Sequence, residues 1–126
     1  LLDASALAAL DCEVVAPGEL LHELKITVKR HRDVGMRVRT GHLGFDLQGA
    51  EIPHPIVAAY ALAACEAGQA KRILLAGFDG YSESDPRQVM MQDAIDVFTS
   101  HNGAIPLVAI TRSAYRITQT SLFAPL

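Results

Sequence analysis

Hydrophobic positions along this chain group into short runs, separated by charged or glycine-bearing stretches. Residues 4–10 read as one or two helical turns. Residues 12–16 (CEVVA) read as a short strand, stopped by Pro17 and Gly18. Helical spacing returns over residues 19–24, and residues 25–28 either extend that helix or pair as a strand. A charged connector comes next at residues 29–33 (KRHRD). Residues 36–39 (MRVR) alternate, which predicts an exposed edge strand. Gly41, Gly44 and Gly49 mark residues 40–52 as a long loop holding at most one short strand.

Signals sharpen after His54. Pro55 suits a first helical turn, where its missing donor is not needed. Residues 56–67 are apolar almost all round, so the helix they predict is buried on most sides. Gly68 stops it. Residues 72–76 (RILLA) are an apolar run without alternation, which predicts a central strand covered on both faces. Asp85 caps the next helix, Pro86 takes its first position and Gln88 reaches back toward the cap. Val89, Met90, Ala94, Ile95, Val97 and Phe98 then recur at helical spacing, and residues 101–103 end the helix. Residues 105–110 (IPLVAI) predict a second buried strand, residues 113–118 an edge strand, and residues 121–126 a tail.

Helix and strand in alternation, with short links, predict a parallel sheet flanked by helices. The expected fold is α/β: a Rossmann-like three-layer sandwich with a mainly parallel central sheet. With 126 residues, half of them hydrophobic and 20% charged, residues 1–126 make one domain with a real core. Disorder is excluded. The longest strongly apolar run, residues 56–65, is about half of what a membrane span needs, so no membrane partner is expected. No basic region followed by an apolar stretch and a cleavage site is visible, and a cytoplasmic location is expected. The chain opens on Leu1 directly before a helix-like stretch, so a C-terminal fragment of a longer protein is expected. A formal charge of −3 argues against nucleic acid as a partner. Two cysteines without a CxxC exclude a disulfide scaffold and a zinc ribbon, and both read as small core residues.

Chemistry has few places to sit. His22, His31, His42, His54 and His101 are scattered without metal-ligand spacing, so no metal site is expected. The GxSxG elbow and the GxxxxGK[ST] and GxGxxG phosphate cradles do not occur. No catalytic residue is assigned. The best candidate is the turn after the RILLA strand, because parallel sheets bind ligands beyond the carboxyl ends of their strands. Gly77 and Gly80 allow a tight turn and a close approach. Asp79 accepts hydrogen bonds from a sugar hydroxyl or an amine, and Tyr81 stacks or donates. Asp85 and Arg87 stand at the start of the next helix, whose free amides favour an anion. A second candidate is His42, exposed between Gly41 and Gly44. Turn geometry alone also accounts for the glycines, and backbone capping for Asp79, so two readings of the loop stay open.

The residues Ala58-Ala59-Tyr60-Ala61-Leu62-Ala63, Ile73-Leu74-Leu75-Ala76-Gly77-Phe78-Asp79-Gly80-Tyr81 and Asp85-Pro86-Arg87 resemble the C-terminal region of a group of bacterial 4-hydroxy-2-oxovalerate aldolases. Tyr115-Arg116-Ile117-Thr118 and Ser121-Leu122 fit the same pattern. That group joins an aldolase-type barrel of the HMG-CoA-lyase-like family to a Rossmann-like C-terminal domain, and many members are encoded near surface-polysaccharide genes. The resemblance runs from residue 55 to the end. It implies a non-catalytic accessory domain of a lyase, partnered by the parent's barrel. Any divalent metal would belong to that barrel, and this domain would carry no cofactor. Asp79 is also similar to an Asp after the central strand in pterin-diphosphokinase-like and bacterial sialyltransferase domains, which handle nucleotides or phosphorylated groups.

Three functional expectations result. The first is an accessory domain that binds a sugar, nucleotide or other small polar ligand at the loop from Gly77 to Arg87. The second is a structural or oligomerisation domain, including a homodimer, in which Asp79 is consumed by backbone amides and the apolar tail docks. The third is a stand-alone transferase dependent on a nucleotide or sugar, built on Asp79, His42 and Arg87.

Overall fold

The computed structural model describes residues 4–101 and 105–124. Four helices and eight short strands succeed one another among them. Helix α1 (Ala4–Ala9), strand β1 (Glu13–Val15), helix α2 (Gly18–Glu23) and strand β2 (Arg30–Arg32) come first. Strands β3 (Met36–Val38), β4 (Gly44–Asp46) and β5 (Gly49–Ile52) come next, then helix α3 (Val57–Ala67). Strand β6 (Ile73–Leu75), helix α4 (Pro86–Ser100), β7 (Leu107–Ala109) and β8 (Thr118–Gln119) complete the order. The helix stop expected at residues 102–103 lies outside the described residues.

These strands do not merge into one sheet. β1 and β2 pair in parallel; β3, β5 and β4 form a mixed sheet with β5 in the middle; β6, β7 and β8 form a parallel one. The Rossmann-like three-layer sandwich is therefore corrected to a small mixed α/β domain with three short sheets. Strand length is one cause: three residues span roughly 10 Å, too little for a continuous sheet to cover helices on both faces. The other is the glycine-bearing segment 40–52. Its three glycines suggested a loop, yet it folds back on itself as the antiparallel pair β4 and β5, an element foreign to a doubly wound sheet.

The core explains the pattern. Ala50 and Ile52 on β5, Ala59, Leu62 and Ala63 on α3, Ile73 and Leu75 on β6, Ala94, Ile95 and Phe98 on α4, and Leu107 on β7 form one buried cluster. α3 packs on β4, β5 and α4, which puts it at the centre. The apolar run of β6 was expected to be central and covered on both faces. It is instead an edge strand: Ile73 and Leu75 are buried, whereas Leu74 is 41% exposed. β7 takes the centre of that sheet. The edge strand expected at residues 113–118 is displaced to β8, because residues 113–116 are held as a loop against α4. Arg116 donates through its backbone N to Gln92 Oε1 at 2.9 Å and through Nη2 to Asp96 Oδ2 at 2.6 Å.

Residues 4–32 stand apart from this core. No described residue of α1, β1, α2 or β2 is buried. The charged connector is the strand β2, whose residues pair with β1 from Glu13 and Arg30 to Val15 and Arg32. Asp33 ties α2 to the start of β3, since its carboxylate accepts from Gly18 N at 2.7 Å and from Gly35 N at 2.8 Å. Cys12 is exposed there, contrary to its reading as a core residue, and Cys65 is half-buried on α3; neither is in a disulfide.

Candidate functional site: a cleft behind the GFDGY loop

Strand β6 ends at Leu75, and the chain turns out of the sheet through Gly77 to Tyr81. Gly77 has φ +73° and Gly80 φ +110°, both in the left-handed region that a side chain disfavours. At Gly80 there is also no room: a Cβ would lie 2.8 Å from the Ala114 Cβ. That close approach joins the loop to the β7–β8 connection, and hydrogen bonds secure it. Gly77 N donates to Thr111 Oγ1 at 3.0 Å, Ser113 Oγ to the Phe78 carbonyl at 2.7 Å, and Ala114 N to the Asp79 carbonyl at 3.0 Å. On the α4 side, Tyr81 N donates to Gln88 Oε1 at 2.8 Å. Gln88 thus reaches back past its own cap to the candidate loop.

Ser113 is the hub of the second wall. It is buried, its hydroxyl also accepts from Tyr115 N at 3.2 Å, and its backbone N and O are both held by the Gln119 carboxamide. This arrangement fixes Tyr115 beside the loop. Between these walls and the first turns of α3 lies a cleft of about 530 Å³. Val57, Ala58 and Ala61 of α3 form one side, Gly77 to Tyr81 the rim, and Met91 and Tyr115 the remainder. The volume suits a small ligand, and an apolar wall with a few polar groups is the usual make-up of such a site.

The polar groups are specific. Asp79 keeps its carboxylate unpaired among the described residues; only its backbone carbonyl is engaged. Tyr115 is 4% exposed, and its hydroxyl has no hydrogen-bond partner among the described residues. Burial, and after it the nearby Asp85 carboxylate, pushes the Tyr115 hydroxyl above its ordinary value.

Asp85 and Arg87 serve each other. Asp85 caps α4 by accepting from Arg87 N at 2.9 Å, and its two oxygens take Arg87 Nε at 3.0 and 3.1 Å and Nη2 at 2.6 Å. The Arg87 guanidinium lies 4.4 Å from the centre of the Tyr81 ring. The Arg87 side chain beside Asp85, together with its backbone N–H, holds the carboxyl below the usual carboxylate range. Neither residue lines the cleft.

Of the seven residues singled out in the sequence, Gly77, Asp79, Gly80 and Tyr81 are brought together at the cleft, and Asp85 and Arg87 support its rim. His42 is not with them. It lines a separate cleft of about 530 Å³ with Asp46, Glu51, Val97 and His101, between the β4–β5 hairpin and the end of α4. The sequence reading missed Val57, Ala61, Met91 and Tyr115. For α3 and Tyr115 the structure shows why; for Met91 nothing in the sequence sets it apart on α4. Helix α3 is apolar all round, yet Val57 is 83% exposed, so its uncovered face becomes the cleft wall. Residues 110–116 come after a second parallel strand and must emerge at the same end of the sheet as the first loop.

Fold and cleft together define a small mixed α/β domain with a formed pocket at the carboxyl end of its parallel strands. No protein-family model, curated protein or solved structure matches the chain. No group of three or more His, Cys, Asp or Glu side chains able to hold a metal occurs among the described residues. No helix among them is long and apolar enough to cross a membrane.

Proposed function

We propose that this chain is a non-catalytic accessory domain that binds a small polar ligand in the cleft behind the GFDGY loop. The observation that carries the reading is the convergence on one largely apolar cleft of the exposed Asp79 carboxylate and of Tyr115, neither of whose side-chain oxygens is bonded to another described residue. Polar groups that open onto an apolar cleft without protein partners are free to bond a ligand that brings the complementary donors and acceptors. The expectation that Asp79 is consumed by backbone amides, which the structural reading needs, finds no support in its contacts. The resemblance of residues 73–81 supports placing the domain beside an aldolase-type barrel in the cytoplasm, in surface-polysaccharide biosynthesis. Lyase chemistry and its metal would then lie in the barrel. A transferase reading needs Asp79, His42 and Arg87 to act together, but His42 lines the other cleft and the Arg87 guanidinium is taken up by Asp85.

A thermal-shift screen with sugars, nucleosides and their phosphorylated forms tests the reading, with Tyr115→Phe as the informative variant. Loss of a hydroxyl that bonds nothing in the protein leaves the unfolding free energy unchanged or slightly raised. Affinity for the stabilising compound falls several-fold, as expected for one hydrogen bond worth about 1 kcal/mol. A Tyr115→Phe protein that unfolds earlier and binds as before overturns the reading.

A second reading, an assembly domain that pairs with itself or with the barrel, is supported by a different feature. Leu10, Val15, Leu20 and Leu24 are all exposed on the N-terminal unit, and Leu122 and Phe123 on the tail. Large apolar side chains left exposed in this number are what an interaction surface would use.

A further inference from the structure

We infer that the cleft selects neutral, hydroxyl-bearing rings and discriminates against their phosphorylated forms; this inference rests on the ligand-binding reading of the same site. Among the residues that line the cleft, Asp79 carries the one formal charge, and it is negative. A carboxylate only accepts hydrogen bonds, so it pairs with hydroxyl donors and repels a phosphate. The tyrosine hydroxyl of Tyr115 both donates and accepts, which suits a second hydroxyl of the same ring. Val57, Ala61, Phe78 and Met91 offer apolar surface to the ring's C–H face.

Two features of the sequence pointed the other way, toward an anion, and Asp85 neutralises both. The basic side chain at the start of α4, Arg87, is held on both oxygens of Asp85 and laid over the Tyr81 ring. The backbone amide at the start of α4, Arg87 N, is taken by the same carboxylate. A phosphate entering the cleft would therefore meet Asp79 without a compensating cation among the lining residues. The apolar wall and the charge of Asp79 act together: one accommodates the ring, the other sets what the ring can carry.

The test compares matched probes on the full chain by NMR titration: glucose against glucose 6-phosphate, and adenosine against adenosine 5′-monophosphate. The two pairs separate a sugar site from a nucleoside site. The neutral member of one pair shifts signals of Val57, Gly80 and Tyr115, and its phosphorylated partner binds about tenfold more weakly or less at low salt, where charge repulsion is least screened. Asp79→Asn keeps the shape and removes the charge, so it narrows that gap. A phosphorylated probe that binds as well as its neutral partner at these residues overturns the charge selectivity and leaves the cleft reading standing. A gap that Asp79→Asn leaves unchanged also overturns it. If no probe shifts these residues in a folded protein, the ligand reading falls and the inference with it.

Discussion

At the scale of single residues, two glycines of one loop make unequal demands. Both have positive φ, yet the space beside Gly77 is open, whereas Gly80 faces Ala114 at contact distance. Gly77→Ala should therefore cost about 1 kcal/mol for the left-handed backbone alone. Gly80→Ala should cost about 2–3 kcal/mol, because the loop must also move off the β7–β8 connection. Urea unfolding of the two variants gives the order directly, and equal losses would mean that the contact with Ala114 yields freely. The sequence shows both glycines and cannot rank them, since Ala114 lies far along the chain from Gly80, beyond the whole of α4 and β7. Tyr115 is hidden in the same manner: nothing local separates it from any other loop tyrosine.

Elements differ in how they are held, and pH reads the difference. Backbone N–H groups of Gly35 and Gly18 hold the Asp33 carboxyl below its ordinary value of 3.8. A lowered folded-state value means that its contribution is full above the ordinary value and is lost as pH falls through the folded one. The link between α2 and β3 should accordingly loosen below about pH 4, with little loosening closer to neutrality. Hydrogen exchange at the Gly18 and Gly35 amides tracks it. Asp33→Ala should speed exchange at both amides at neutral pH while leaving the amides of α3 and α4 protected; uniform acceleration across the chain would show that the unit and the core open together. The sequence marked this region as a charged connector and missed β2, because a strand with every residue exposed carries no hydrophobic period. Helix α4 was legible for the opposite reason. Its cap, its first-turn proline and its apolar spacing all lie within a few turns of one another.

For the whole molecule, the contrast is between the core and the uncovered surface. Ile52 and Ile95 are fully buried, and either one changed to Ala should destabilise the chain by about 2–5 kcal/mol. The pair Leu20→Ser and Leu24→Ser should cost only about 1–2 kcal/mol, less than either core isoleucine, since both side chains are about half exposed. Light scattering on that double variant tests the assembly reading. A parent protein that self-associates and a variant that does not would place an interface on the N-terminal unit. Equal masses for both would remove self-association through these leucines.

What the sequence determined by itself is local: a chain rich enough in apolar residues for one core, helices α3 and α4, the strands β6 and β7 that flank α4, and the glycine-bearing GFDGY turn that leaves β6. Each rests on residues close together, where periodicity, caps and glycine act directly. Only the tertiary structure decided which strands share a sheet, that β6 lies at an edge, and that residues 40–52 form the hairpin carrying Ile52. It also decided that Tyr115 and α3 complete the cleft and that His42 belongs elsewhere. The physical reason is common to all of these. Short strands of three residues hold too little information to choose partners, so pairing depends on the burial of α3 and the hydrogen bonds of distant loops. Both are properties of the packed chain rather than of any one segment.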